Sequence, residues 1–422
     1  METKKKKRNI LIGLDGVPHL LIERYTRKGI MPNLRRFINS NTFLKMNSSV
    51  PEVSSVAWSS IITGTNPGEH GIFGFMDVNH RNYSLMFPDA RDLQVAPFWQ
   101  RYKQAAVINV PSTYPAQPMN GFLISGFVSI DLEGAVYPRS MLDEIKTSRY
   151  RIDVNNSLAK ESPSGFIDDL HKTLEVRLKF LEKIWDREER DLIVFVVSGT
   201  DRLNHYFWNA FDDISNSYKS TFEEYYNLVD RAIGRILDRC TDDDNVIIFS
   251  EHGFETLDVE FYVNRFLQEK GYVQYKNDDP KTPVDLDITT KAFALDPGRI
   301  YINSSDKFLF GRVKPTEKET LMTELEILFK NLVIDGKKMI KKVYRGNLLY
   351  KGPFVKNAPD LILLGEDGVD LKGKFSVKKM TDKRMFNGKH KHNNAFITFS
   401  RKKEIQDTSK PYDVEKIIKL LE

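Results

Sequence analysis

Cysteine is almost absent: the 422-residue chain contains one, Cys240. An intramolecular disulfide is thereby excluded, and the scarcity fits a reducing compartment. Long apolar runs are missing too, none approaching the roughly 18 residues of a membrane-spanning helix. The basic opening METKKKKR leads only into NILIGL before Asp15, too short for the apolar core of a secretory signal. A cytoplasmic protein is expected. Charge of one sign is also lacking, since 63 Lys and Arg face 58 Asp and Glu for a net +5. That excess is too small for a protein that grips a nucleic acid polymer, and it leaves small anionic molecules as partners. There is no internal repeat and no low-complexity segment, and nothing in the sequence speaks to oligomeric state.

What is present is a large core-forming fraction: 41% of residues are hydrophobic and 29% charged, enough for two or three domain-sized units. NILIGL, DLIVFVV and NVIIF are continuous in apolar residues, as central strands of a parallel sheet are. Helical patterns such as MPNLRRFINS, LHKTLEVRLKFLEKIW and TFEEYYNLVDRAIGRILDRC lie around them. This alternation predicts an α/β fold, a mostly parallel central sheet flanked by helices, with ligands bound at the carboxyl ends of the strands. After residue 260 Pro, Gly, Asp and Lys are scattered around one helix, PTEKETLMTELEILFKNL. Residues 261–380 are therefore read as a smaller inserted lobe or sheet extension, and 1–260 with 381–422 as the core. The lysine clusters KKMIKK and KGKFSVKKMTDKR read as a solvated face or as an anion patch. Cys240, ending a helical pattern, reads as a packing residue.

The strand ends carry the chemistry. NVIIF runs into Ser250, Glu251, His252 and Gly253; DLIVFVV runs into SGTDRLNH; NILIGL runs into Asp15 and Gly16. Asp201 and His205 are four apart, so a helix there puts both on one face. A late glycine-containing loop, NGKHKHNNAF, adds His390 and His392. Carboxylates and imidazoles recurring at three strand ends and one loop fit two metal sites of three protein ligands each, although any one pair alone also reads as a solvated strand end. In PEVSSVAWSSIITGTNPGEHGIFGF, Ser54 stands where a helix begins, as an activated nucleophile or as a helix cap.

The set LIGLDGV, MPNL, SSVAWSSIITGTNPGEHGIFGF, TDRLNHYFW, SEHGF, RIYIN, VYRGNLLYKGP, APDLILL and GKHKHNNAFI resembles the type I phosphodiesterase/nucleotide pyrophosphatase family of the alkaline phosphatase superfamily. The resemblance spans nearly the whole chain. It implies an alkaline-phosphatase-like α/β sheet and two divalent metal ions, usually zinc, with manganese or magnesium as alternatives. It assigns Asp15, Ser54, Glu251 and His252 to one metal and Asp201, His205 and His390 to the other. Ser54 is chosen over Ser55 by its spacing to Thr63–Gly64, and His390 over His392 because it follows Gly388–Lys389. Ser54 would become phosphorylated while a phosphodiester or pyrophosphate bond of a small phosphate ester or nucleotide is hydrolysed. Phosphomonoester or phosphonate hydrolysis, phosphomutase action and a non-catalytic anion-binding role are the alternatives; sulfatase chemistry would need a C/S-x-P-x-R context that the chain lacks. Two positions depart from the family pattern: Glu251 replaces the usual Asp, and Ala57 stands where nucleotide pyrophosphatases carry Asn.

Overall fold

Each continuous apolar run forms a strand buried on both faces, which is why none of them alternates with polar residues. The computed structural model describes residues 7–187, 189–383, 385–400 and 410–421. Residues 1–6 of the basic opening, and Arg384 at the end of the second lysine cluster, lie outside them. The first six strands labelled here are β1 (Asn9–Leu14), β2 (Thr42–Asn47), β3 (Ala105–Val110), β4 (Gly121–Ser125), β5 (Leu192–Val197) and β6 (Asn245–Phe249). Later come β7 (Gly253–Thr256), β8 (Gly388–Lys391) and β9 (Ala395–Phe399). The central sheet runs Tyr412–Asp413, β2, β9, β6, β1, β5, β3, β4, Val136–Tyr137. Strands β6, β1, β5, β3 and β4 are parallel neighbours, and β9 pairs antiparallel with both β6 and β2. The fold is α/β with a mostly parallel sheet, as the alternation predicts.

The helices used below are α1 (Pro32–Asn39), α2 (Ser54–Thr63), α3 (Pro163–Trp185), α4 (Gly199–Phe207) and α5 (Lys219–Leu237). Ile10, Ile12 and Leu14 of β1, with Ile193, Phe195 and Val197 of β5, pack on one side against α3 and α5. Leu11 of β1, with Leu192, Val194 and Val196 of β5, packs on the other against Trp58, Ile61 and Ile62 of α2. Every residue of α2 is buried, so this helix lies inside the core instead of on its surface. Its close approach depends on Gly13: a Cβ there would stand 2.6 Å from Cη2 of Trp58. Cys240, just beyond α5, is partly buried against the first cluster. Its thiol donates to the Ile236 carbonyl at 3.3 Å, and burial pushes its pKa up to about 12.

A separate apolar cluster lies beyond residue 260. Its four-stranded sheet has the order Ala292–Leu295, Arg299–Ile302, Leu361–Gly365, Ile340–Arg345, covered by Leu321, Met322, Leu325 and Phe329 of the helix Pro315–Lys330. Val78 and Tyr83, from a hairpin far earlier in the chain, belong to the same cluster. Lys338, Lys341 and Lys342 are exposed, and the first two pair with Glu366 and Asp367. Lys372, by contrast, is partly buried against Asp370 at 2.6 Å. Among the described residues, no helix is long and apolar enough to cross a membrane.

Helices α1 and α5 are joined by a buried carboxylate. Helix α1 has no side-chain cap of its own, and Asp230 of α5 supplies one across space. It accepts from the backbone N–H of Asn33 at 3.0 Å, from Nδ2 of Asn33 at 2.9 Å and from the N–H of Leu34 at 2.8 Å. An anion at a helix N-terminus also meets the favourable end of the helix dipole. Asp230→Ala strands these donors, so it is expected to cost about 3 kcal/mol, read as a lower urea midpoint. Asp230→Asn, which keeps one acceptor, should lose distinctly less.

Candidate functional site

Three adjacent parallel strands end at one place, and the residues just beyond β1, β5 and β6 converge there. Asp15 follows β1, Asp201 sits in the first turn of α4 after β5, and Glu251 and His252 follow β6. Helix α4 clamps the β1 turn: Thr200 Oγ1 donates to the Asp15 carbonyl at 2.6 Å, and Asn204 Nδ2 to the Gly16 carbonyl at 2.9 Å. Asn204 is itself held by the Tyr226 hydroxyl at 2.9 Å. Gly16 has φ +66°, and a Cβ on it would lie 3.0 Å from Asp201 Oδ1; the turn needs glycine for its conformation and for space. His205 is one turn after Asp201 on α4, so the expected i, i+4 pair forms.

His390 arrives differently from the expectation. Its segment is not a loop but strand β8, paired antiparallel with β7 so that Phe254 faces His390. Flanking cross-strand ion pairs hold this polar ladder, with Glu255 accepting from Lys389 at 3.2 Å and from Lys391 at 2.6 Å. His392 lies apart, its Nδ1 against the Ser49 carbonyl at 3.2 Å.

The three converging histidines share one arrangement. Nδ1 of His252 contacts the Gly253 carbonyl at 3.1 Å, Nδ1 of His205 the Gly388 carbonyl at 3.2 Å, and Nδ1 of His390 the Glu52 carbonyl at 3.0 Å. A carbonyl only accepts, so each Nδ1 carries the proton and each Nε2 presents a lone pair. Those lone pairs meet other acceptors. His205 Nε2 lies 3.0 Å from His390 Nε2, which is 3.2 Å from Asp201 Oδ1; His252 Nε2 lies 3.1 Å from Glu251 Oε1 and 3.9 Å from Asp15 Oδ1. Ser54 opens α2, capped at Val53 without a side-chain bond. Its Oγ points to His252 Nε2 at 3.2 Å, so this hydroxyl is not the helix cap. Ser55 Oγ is buried with no hydrogen-bond partner.

The carboxylates have the same deficit. Asp15, Asp201 and Glu251 are almost wholly buried, yet both oxygens of Asp15, Oε1 of Glu251 and Oδ1 of Asp201 lack a hydrogen-bond partner. Burial and the charge of Glu251 push the Asp15 pKa well up. Burial lowers His252, and lowers His205 to about 4, keeping both rings neutral as ligands must be. Burial alone would raise Asp201, yet its pKa is lowered, and with the imidazoles neutral the lasting counter-charge is the Arg202 guanidinium at 3.3 Å. Buried acceptors this crowded are costly unless a cation sits among them. Two groups have ligand atoms within 4.8 Å of one another, Asp15 with Glu251 and His252, and Asp201 with His252 and His390. Carboxylate oxygen with imidazole nitrogen is the donor set of zinc-like divalent ions.

All seven residues singled out in the sequence, Asp15, Ser54, Asp201, His205, Glu251, His252 and His390, thus come together. Sequence reasoning missed Arg202, although it directly follows Asp201. Its guanidinium donates to Asp153 at 2.7 Å and to Asp201 Oδ2 at 3.3 Å, leaving Oδ1 directed at the histidines. Ser54, Asp201, Arg202, His205 and His390 open into a cleft of about 600 Å³ walled by Phe75 and Phe127.

The fold is alkaline-phosphatase-like, and the family model that matches the chain places it among the phosphoester hydrolases of that superfamily. The chain belongs to the type I phosphodiesterase / nucleotide pyrophosphatase family, whose model matches residues 9–393. Among solved structures it is similar to phosphonoacetate hydrolase from Sinorhizobium meliloti in complex with phosphonoformate, with a TM-score of 0.66 at 12% identity over 98% of this chain and 94% of that one. Wild-type alkaline phosphatase PafA gives 0.59 at 13% over 100% and 96%. Murine ectonucleotide pyrophosphatase / phosphodiesterase 5 gives 0.55 at 11% over 98% and 94%. Identities this low establish a shared fold. No curated protein sequence matches the chain.

The crowded acceptors make a stability prediction. Chelation of divalent ions should lower the melting temperature, and restoring the cation at about 100 times its Kd should return about 2.7 kcal/mol. Asp15→Asn removes one of the three crowded carboxylates. It is expected to raise the melting temperature of the chelated protein and to shrink the cation-dependent rise, both read by calorimetry.

Proposed function

We propose that the protein is a two-metal hydrolase of phosphodiester or pyrophosphate bonds that works through a phosphoseryl intermediate on Ser54. The observation that carries this reading is the Ser54 hydroxyl 3.2 Å from His252 Nε2, in a cluster where three buried carboxylates each keep at least one oxygen without a hydrogen-bond partner. Asp15, Ser54, Glu251 and His252 would hold one ion, and Asp201, His205 and His390 the other. Zinc, or manganese or magnesium in its place, would supply Lewis acidity that lowers the pKa of the Ser54 hydroxyl and draws charge from the phosphoryl oxygens. Ser54 Oγ then forms a bond to phosphorus as the bond to the leaving oxygen breaks. Water attacking the phosphoserine from the same side releases phosphate or its monoester and restores the hydroxyl.

The rest of the chain supports these steps. Arg202, anchored by Asp153, orients Asp201. Glu251 reaches one methylene further than the family's usual Asp, yet its Oε1 still stands 3.1 Å from His252 Nε2. Ala57 is fully buried, so this chain offers no side-chain donor at the position where nucleotide pyrophosphatases use Asn. We assign residues 1–260 and 381–422 to the catalytic core and 261–380 to a smaller lobe, a division supported by the separate apolar cluster. The single cysteine supports a cytoplasmic enzyme.

A panel of p-nitrophenyl phosphodiester, phosphomonoester, phosphonate and sulfate esters, each with zinc, manganese or magnesium, tests the reaction. Phosphodiester turnover should dominate; dominance of the monoester or phosphonate would replace this reading. Ser54→Ala should lose at least about 1,000-fold in rate while retaining metal and costing about 1 kcal/mol or less in stability. Ser54→Thr should keep measurable activity, and Ser55→Ala should be nearly silent. Mass spectrometry of acid-quenched enzyme should find phosphate on the Ser54 peptide; its absence together with an active alanine variant would overturn covalent catalysis.

A further inference from the structure

Arg177 of α3 is only 2% exposed, and the three groups that accept from its guanidinium are all neutral. Nε donates to the Arg151 carbonyl at 2.9 Å, Nη1 to Ser198 Oγ at 2.9 Å, and Nη2 to the Ile152 carbonyl. A cation buried among neutral acceptors gives up its hydration without gaining a counter-charge, so packing alone does not account for it. What the three acceptors share is their place in the chain. The Arg151 and Ile152 carbonyls lie just before Asp153, which takes the Arg202 guanidinium at 2.7 Å. Ser198 lies between β5 and α4, three residues before Asp201.

Ser198 breaks a local rule to meet this arginine. A serine at a helix N-cap ordinarily accepts from an N–H of its own first turn, but Ser198 makes no such bond, and its Oγ accepts from Arg177 instead. A cap given up at such a point marks a functional demand. Fastening the irregular segment around Asp153 to α3 does not require the Ser198 arm. Asp169 of α3 already does that, accepting from Arg151 at 2.7 Å and from the Asn155 N–H at 2.8 Å. The turn from β5 into α4 is tightly seated on its other side, where a Cβ on Gly199 would stand 2.1 Å from the Tyr225 hydroxyl.

We propose that Arg177 is a positioning residue for Asp201. Its planar fork fixes the gap between Asp153 and the start of α4. That gap sets where Arg202 holds Asp201 Oδ2, and so leaves Oδ1 3.2 Å from His390 Nε2. The inference rests on the reading of Asp201, His205 and His390 as one cation site, and it adds a residue that touches neither ion nor substrate. Loss of Arg177 should loosen that cation and spare the one held by Asp15, Glu251 and His252, whose side chains the fork does not reach.

Zinc titrated calorimetrically into the full chain, after chelation and removal of the chelator, tests this without turnover. The wild type should take two ions. In Arg177→Gln and in Ser198→Ala one ion should bind at least about tenfold more weakly, and the other within about threefold of wild type. Adding Asp153→Asn to Arg177→Gln should cost little beyond the larger single loss, since both act through Arg202. Leu181→Ala, buried on the same helix outside these links, should lower the melting temperature and leave both affinities in place. Equal weakening of the two ions, unchanged affinities in Ser198→Ala, or a matching selective loss in Leu181→Ala would overturn the proposal. Ser198→Ala removes a single hydroxyl and decides the matter if Arg177→Gln fails to fold. A wild type that binds fewer than two ions removes the two-cation reading and the proposal together, whereas two ions with an unaffected Ser198→Ala removes the proposal alone. Selective loss in a protein that cleaves no ester upholds the proposal and removes the hydrolase reading.

Discussion

Like-charge crowding at the ends of adjacent strands is the constraint on which the structure turns. Parallel neighbours run about 4.8 Å apart, so β6, β1 and β5 bring Glu251, Asp15 and Asp201 closer than water-free carboxylates tolerate. Among the described residues only Arg202 forms an ion pair with one of them through a permanently charged group, on Asp201, and the histidines turn lone pairs toward the centre. The large apolar layers on both faces of the sheet hold the strand ends in this unfavourable arrangement. The apolar layers thereby fix the spacing of the carboxylates and imidazoles.

Backbone carbonyls do the finer positioning. Gly253, Gly388 and Glu52 each take an Nδ1 proton, so the imidazoles are oriented by main chain that cannot rotate away. Thr200 and Asn204 tie the β1 turn to α4 in the same manner. Four separate parts of the chain are thus locked together by short polar links around a centre that would otherwise fly apart.

Much of this was legible because the residues involved obey local rules. Continuous apolar runs announce doubly buried strands, and Asp201 and His205 share a helix face by spacing alone. His390 was recognisable as a candidate, but not its strand: β8 is polar and its partner β7 lies more than a hundred residues earlier, so no local pattern predicts the pairing. Arg202 escaped for a related reason, since its anchor Asp153 sits in irregular chain before α3. The packing of Val78 and Tyr83 into the second apolar cluster likewise depends on tertiary contact. The direction of Ser54 Oγ, toward His252 and away from its own helix end, is a matter of rotamer and neighbour that sequence spacing leaves open.

The position of β8 and β9 has a consequence for how the protein is made. Strand β1 is made well before its sheet neighbours β5 and β6, which follow some 180 to 240 residues later, and His390 follows later still. At typical synthesis rates of about 5–20 residues per second, Asp15 waits on the order of 20 seconds or more for its last imidazole companion. During that interval a nascent chain holds most of its acidic ligands but not the antiparallel strand that finishes the cluster. A chain truncated before residue 388 would therefore lack strand β8 and His390 at this cluster.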